Sequence, residues 1–512
     1  MTDFAGQVAY YACHQVYLSR RAFYLLVVDM SKDQNDKAHE HNTERHDPVG
    51  SLFHHWTYKD YFTFWLQCIQ TYCEDGNRRI IDKHRETVDS RHPVILVASH
   101  KDEVKPNTFP TLAFFEEMKN SLPRNQILRH LLSPDRYYEV ECPSSSLSDE
   151  QEKMIEEVRE CVVHTVQGLY HWGEEIPISW AKFEDILKNR KEERVLERST
   201  LQGLEELRIL SKSDIDDMLQ FFHEIGQIIY FADEKLRDVI VIDVQWFVDG
   251  FKNIITDPKH LARETDEDEI KRGRISMLIL KRIWKKETEK PYIPHMNSIL
   301  PYMEKLGLMV EMKTKKGQNT EDKEFYIPSM NRVDMSSEAV DTINAGQKTS
   351  ILIFHFKTYL PHFFFFRLVV RCFKEWDVLR EKMFYKNVAF YKKKDHCIAI
   401  AVNKTSIQLQ VFTRSREINL SSKRVMKIRK TTENNIWEIT KTFHKQVKFD
   451  RGYSCKGIKI GDEDQGDFFL QSEILPVKKE TPNVQCPLHV EINQTHEIDT
   501  HTLLRFWNSE VM

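Results

Sequence analysis

An α/β block followed by an α+β block is the architecture that the patterning of this chain predicts. Three observations carry the expectation. In residues 1–171, short β-rich apolar runs alternate with helical stretches, the signature of a parallel sheet. Residues 172–345 are mostly helical in period, and residues 346–475 turn to the two-residue alternation of strands. Residues 476–512 read as a tail that opens polar and closes on the apolar stretch Leu503 to Trp507.

The elements follow from local chemistry. Val8 to Leu18 predicts a helix and Phe23 to Asp29 a strand. Ser31 to Asp47 is almost free of apolar residues and predicts an inserted loop. Tyr61, Phe62, Trp65, Cys68 and Ile69 recur at helical spacing within a helix from Tyr58 to Cys73. Pro93 to Ala98 is a buried-type strand, Tyr137 to Cys142 another, and Ser148 to Tyr170 a charged helix. Ser213, with Asp216 three residues on, predicts a capped helix whose stripe holds Ile215, Met218, Leu219, Phe222, Ile225 and Ile229. Val239 to Ile242 predicts a strand, Gln245 to Val248 the start of a helix, and Gly307 the end of one. Ile398, Ile400 and Val402, then Ile407, Leu409 and Val411 with Gln408 and Gln410 between them, predict a hairpin with one wet face. Glu433 to Val447 predicts a helix.

Composition excludes several classes. Lys+Arg 74 against Asp+Glu 78 gives a net charge of −4, so a dedicated nucleic-acid binder is not expected. Apolar content of 41% excludes wholesale disorder. Nine scattered cysteines without a secretory signal read as a reducing, cytoplasmic chain. No stretch approaches the roughly 20 apolar residues of a spanning helix. The most apolar run, Leu360 to Phe373, is broken by Pro361, His362, Arg367 and Arg371, and reads as a buried element or a large contact surface.

Asp3-Phe4-Ala5-Gly6-Gln7 forms D-x-x-G with a glutamine behind it. In a guanine-nucleotide-binding fold the Asp holds a magnesium-bound water. The Gly offers its N–H to the γ-phosphate, and the Gln orients the attacking water. Ser99-His100-Lys101-Asp102, ending the Pro93 strand, lies at the separation expected of the guanine-specificity motif, whose carboxylate accepts guanine N1–H and N2–H together. The bland alternative makes Asp3 a helix cap and Asp102 a turn former. No G-x-x-x-x-G-K-[ST] loop occurs in the sequence. Gly346-Gln347-Lys348-Thr349 lacks the upstream glycine and precedes a β-rich segment, so it is expected to be a decoy. Protein-kinase motifs, G-x-S-x-G and H-E-x-x-H are likewise not found. Cys455, Cys486, His489, His496 and His501 are zinc-capable but irregularly spaced, so surface histidines and a buried thiol are expected rather than zinc. The basic clusters Lys281–Lys286 and Lys423–Lys430 read first as solvated faces, with anionic lipid or an acidic partner as the alternative.

DFAGQ with YYACHQVYL, FYLLVVDMS and VILVASHKDE resembles the second half of a Roc domain, the Ras-like GTPase of Roco proteins. IPISWAKFEDIL, FFHEIGQIIYF, VIVIDVQWFVDGFKNII and YIPHMNSILPYMEKLGLMVEM followed by FYIPSM resemble the first half of the COR domain that follows Roc, and LPHFFFFRLVVRCF the opening of its second half. The resemblance implies an α/β Ras-like GTPase remnant whose parallel sheet lacks its first strands. It further implies an α+β COR domain with a winged-helix-like first half and a β-rich second half. It places Asp3 (magnesium through water), Gly6, His100 and Asp102 in the nucleotide site, with Gln7 near the attacking water, and names GTP or GDP with Mg²⁺ as the ligand. It also implies a homodimer through COR, unknown effectors, and a kinase domain in some members. A truncated gene model or splice fragment is the first expectation for the missing phosphate loop, and a pseudo-GTPase the second. A nucleotide-free dimeric scaffold, peripheral to a membrane or not, is the alternative.

Overall fold

In a computed structural model the described residues are 16–19, 21–38, 56–73, 94–103, 111–121, 137–141, 146–169, 171–255, 267–286, 289, 291–312, 323–356, 360–379, 384–403, 405–443, 447–455, 459–461, 468–474, 483–485 and 497–507. They fall into two compact units. The first comprises Met1–Asp47, Phe53–Lys252 and Pro294–Pro301, and the second Pro48–Leu52, Asn253–Ile293 and Tyr302–Met512.

The first unit opens with β1 (Tyr24–Asp29), α1 (Tyr58–Cys73), β2 (Val94–Ser99), α2 (Thr111–Ser121), β3 (Tyr138–Glu139) and α3 (Asp149–Gln167). The three strands form a parallel sheet in the order β1-β2-β3, as alternating helices and strands predict. β2 is buried along its whole length because both of its faces are covered. Val94, Leu96 and Ala98 pack with Phe62, Leu66, Ile69, Phe114 and Phe115, while Ile95 and Val97 pack with Tyr138 and Val158. α3 begins at a capping box, Ser148 with Gln151, which places the expected start at Ser148. The Val8 to Leu18 helix falls mostly outside the described residues, and Tyr17 and Leu18 are not helical.

The rest of the first unit is α4 (Ile178–Asn189), β4 (Val195–Glu197), α5 (Arg198–Gly203), α6 (Lys212–Glu224) and β5 (Val239–Val241), with α7 (Val244–Ile255) beginning there. β4 and β5 pair antiparallel. The cap of α6 differs from expectation: Ser211 and Asp214 form the box, two residues earlier than Ser213 and Asp216. Asp216 is instead held by Arg198, whose guanidinium also reaches Tyr230 Oη at 2.9 Å. Of the predicted stripe, Ile215, Met218, Leu219 and Phe222 are buried against Phe183, Leu187 and Leu201, but α6 stops at Glu224, so Ile225 is its C-cap and Ile229 lies beyond it, bridged to Val241.

The second unit continues with α8 (Glu267–Lys271), β6 (Arg274–Ser276), α9 (Met277–Lys285), α10 (Met296–Lys305, which begins in the first unit), β7 (Val310–Glu311), β8 (Glu324–Tyr326) and α11 (Ser337–Asn344). β6, β8 and β7 make a three-stranded antiparallel sheet in that order. Gly307, beyond α10, has φ +75°, and a Cβ there would sit 2.4 Å from Arg367 Cγ. Only glycine meets both demands.

Then come β9 (Leu352–Phe356), α12 (His362–Glu375), β10 (Asp377–Val378), β11 (Val388–Lys393), β12 (His396–Val402), β13 (Ser406–Phe412), α13 (Ser422–Phe443), β14 (Phe449–Ser454), β15 (Phe468–Leu470), α14 (Gln471–Ile474), β16 (Asn483–Gln485), β17 (Glu497–Asp499) and α15 (Thr500–Leu504). Seven strands form an antiparallel sheet, β10-β11-β12-β13-β9-β14-β15. The β12–β13 hairpin is as expected, but neither of its faces is wet. Both strands are buried throughout, including Gln408 and Gln410. Gln410 Nε2 donates to Thr349 O at 2.8 Å and Gln408 Oε1 accepts from Gly461 N at 2.9 Å, so their amides are satisfied inside. α12 is a buried element: Phe363 to Phe366 are all buried, and Arg367, only 3% exposed, donates to Leu306 O. The string Gly346–Thr349 leads into the sheet, where Thr413 N donates to Gln347 O and Thr349 N to Val411 O. A Cβ at Gly346 would meet Thr413 O, so its glycine serves strand packing rather than phosphate binding.

Candidate functional site

The carboxyl ends of parallel strands are where α/β sheets take ligands, because no crossover covers them there. In the first unit that edge gathers Asp29, the turn Ser99–Glu103 and the segment Val140–Glu141. Backbone bonds fix the turn. Met30 N donates to Ser99 O at 3.1 Å, Val140 N to Ala98 O at 2.8 Å, Lys101 N to Val140 O at 3.4 Å and Glu103 N to His100 O at 3.1 Å. Ser99 Oγ donates across to Val28 O at 3.2 Å. His100 takes φ 56°, a left-handed conformation that non-glycine residues adopt only where surroundings impose it. The chain thus reverses sharply after the buried strand and presents Lys101, Asp102 and Glu103 to solvent in one turn of 3-10 helix.

Of the sequence-predicted site residues, His100 and Asp102 lie together on this turn. Asp102 is exposed. His100 Nδ1 is buried with no hydrogen-bond partner among the described residues, and it stands 3.7 Å from Glu103 Oε1, too far for a hydrogen bond. Lys101 Nζ meets Glu139 Oε2 at 2.9 Å, and that carboxylate pushes the lysine ammonium above its ordinary value. Asp3, Gly6 and Gln7 lie outside the described residues, as do Cys486, His489 and His496. Cys455 is buried, and no group of three metal-capable side chains occurs among the described residues.

Sequence reasoning missed a second cluster, where the segment before β1 meets the helical segment of the same unit. Ser19 Oγ donates to Glu224 O at the end of α6. Arg21 Nη1 reaches Glu174 Oε2 at 2.5 Å, its Nε lies 4.0 Å from Glu224 Oε2, and its guanidinium sits 4.9 Å from the centre of the Phe221 ring. Tyr17 Oη donates to Gln245 Oε1 at 2.9 Å on α7. These partners stand more than 150 residues away in sequence, so no periodicity or motif could have joined them.

Burial, then Arg21, push the His171 imidazole below its ordinary value, and burial does the same to His223 on α6. A depressed histidine takes up its proton in the unfolded chain first. The unfolded state therefore binds more protons as pH falls through the ordinary histidine value, and stability of this unit rises with pH there. The unit is expected to melt at lower temperature at pH 5 than at pH 7, with His223→Gln flattening the slope. Thermal unfolding by circular dichroism across that range checks it.

Residues 177–330 match the family model for the COR-A domain, "C-terminal of Roc". The segment from α4 to the turn after β8 is thus of the class that follows a Roc GTPase. The chain is 23% identical over 423 residues to a probable serine/threonine-protein kinase, pats1, of Dictyostelium discoideum, covering 80% of this chain and 11% of that protein. It is 24% identical over 302 residues to the probable kinase roco5 of the same organism, covering 57% of this chain and 9% of that protein. It therefore spans about a tenth of the length of these curated relatives. A solved structure of Methanosarcina barkeri Roco2 RocCORdC bound to GDP aligns at TM-score 0.39 and 19% identity, covering 64% of this chain and 78% of that one. The COR-A match and these relatives support a Roco-family Roc–COR protein. No helix among its described residues is long and apolar enough to cross a membrane.

Proposed function

We propose that this chain is the coupling part of a Roco signalling protein: the base-reading half of a Ras-like GTPase domain joined to a COR domain that transmits and dimerises. The observation that carries the reading is the junction at Tyr17–Arg21. It lies ten residues beyond the D-x-x-G-Q motif, directly before β1, and is tied by Ser19 and Arg21 to Glu224 and Phe221 of the COR-A segment. A change felt near Asp3, Gly6 and Gln7 has a short covalent path to that junction.

In the family's mechanism GTP or GDP with Mg²⁺ occupies the nucleotide domain. Asp102 and His100 fit the base end of such a site; the residues assigned to its phosphate end, Asp3, Gly6 and Gln7, lie outside the described segments. The 512 residues contain no phosphate loop, so tight nucleotide binding by this chain alone is not expected. That favours a second reading, a dimeric COR scaffold active without nucleotide. The relatives are named as probable kinases, whereas these 512 residues carry no protein-kinase motif.

Coupling through the junction makes a specific demand. Arg21→Ala is expected to separate the melting of the α/β part from that of the COR-A segment, so that one calorimetric transition of the first unit becomes two. An unchanged single transition would remove the junction from the coupling path.

A further inference from the structure

α13 buries Val425, Ile428, Ile436 and Ile439 in the second unit, so its apolar side is already used. Its outward side is a single stripe at 4-3-4-3-4 spacing: Lys423, Lys427, Lys430, Asn434, Trp437 and Lys441, every one exposed. Four of the six are lysines. Trp437 is 53% exposed, with Lys441 Nζ 5.0 Å from its ring centre. The β11–β12 turn joins the same surface, because Arg424 Nη1 meets Asp395 Oδ2 at 3.2 Å and Ser421 N donates to His396 Nε2 at 2.9 Å. That turn adds exposed Lys394, held at φ 57°. Arg414 and Arg416, exposed on the segment leading into α13, extend the charge, against which residues 414–441 hold three carboxylates, Glu417, Glu433 and Glu438, of which Glu433 is paired with Arg429 and Arg451. Such a concentration stands out in a chain of net charge −4.

We propose that this face docks on an anionic lipid bilayer. Three features select a bilayer over an acidic protein or a nucleic acid. The stripe is built from lysines, point charges suited to a diffuse anionic surface, rather than from arginine forks that grip particular carboxylates or phosphates. Its one aromatic is a lone tryptophan among polar neighbours. That suits the headgroup level of a membrane, whereas a protein hot spot needs an apolar surround and a single-strand site needs several stacking rings. The helix also has no free apolar face to insert, so the contact is electrostatic and lies along the bilayer surface.

The test is co-sedimentation of the full chain with phosphatidylcholine vesicles, plain or carrying about 30% phosphatidylserine, at about 0.1 M and about 0.5 M salt. The expected result is binding to the phosphatidylserine vesicles alone, lost at the higher salt. Lys427→Glu with Lys430→Glu should weaken it at least about thirtyfold, two surface lysines being removed from an anionic plane. Lys182→Glu with Lys188→Glu, exposed on α4 of the other unit, should leave it unchanged, and circular dichroism should show both variants folded. Vesicle addition should shift tryptophan emission to the blue in the parent and less in Trp437→Phe. Equal binding to plain vesicles, indifference to the Lys427/Lys430 reversal, or capture of poly-glutamate without vesicle binding would overturn the proposal.

Discussion

Asp243→Ala is expected to unfold the COR-A helical segment at temperatures where the parent chain is intact. Asp243 is 5% exposed and does two jobs. Its Oδ2 meets the Arg194 guanidinium at 2.5 Å, and its Oδ1 accepts Trp246 N at 3.0 Å in the first turn of α7. Arg194 is itself 8% exposed, has φ 63°, and accepts Ile242 N on its backbone oxygen at 3.0 Å. Removing the carboxylate leaves a buried guanidinium whose remaining carboxylate partner among the described residues is the exposed Glu192, at 3.0 Å. Breaking a buried pair from one side costs about 3–5 kcal/mol, and the lost cap about 1 kcal/mol more. The paired change Arg194→Met with Asp243→Leu should cost far less, because no buried charge remains. Urea unfolding of the three chains decides it. Equal losses for the single and double variants would mean that packing, not charge, fixes this turn.

Trp507→Ala should have a comparable effect on the second unit. The side chain is fully buried near the end of the chain. Its Nε1 donates to Ser350 Oγ at 2.9 Å and lies 3.2 Å from Ser350 O, while its backbone oxygen accepts from Arg429 of α13. Ser350 Oγ in turn donates to Leu503 O at 2.8 Å. The closing segment is thereby stapled to the sheet entry at β9 and to α13. Truncating a buried tryptophan costs about 3–5 kcal/mol. Trp507→Phe keeps most of the apolar area and loses the donor, for about 1 kcal/mol. A melting temperature unmoved by Trp507→Ala would show that the segment is a passive appendage.

The alternation of β and helical periods was enough to place β1, α1, β2 and α3, because each buries one recognisable stripe or a continuous apolar run. The period-2 reading of Gln408 and Gln410 assigned them correctly to one face but wrongly to water. Alternation tells which residues share a face, and only tertiary packing says whether Ala339 and Ile343 of α11 and Ile460 cover it. α13 starts eleven residues before its expected Glu433, since the lysines of Lys423–Lys430 masked the buried pair Val425 and Ile428. Of the candidate site, the turn bearing His100 and Asp102 was legible as a motif after a strand. The Ser19 and Arg21 junction was not, because its partners are joined only by the fold. Arg367 inside the phenylalanine run looked like an interruption, yet it is buried and satisfied by a backbone oxygen at the end of α10.

The most direct test of the proposed base-reading role of the Asp102 loop is a titration of the purified chain with a fluorescent GDP analogue and Mg²⁺, with Asp102→Ala beside it. The expected result is no binding tighter than about 10 µM, since the charge compensation that a phosphate loop supplies is missing from these 512 residues. Binding below about 1 µM that disappears in Asp102→Ala would contradict the account, and would mean that these residues complete a nucleotide site on their own.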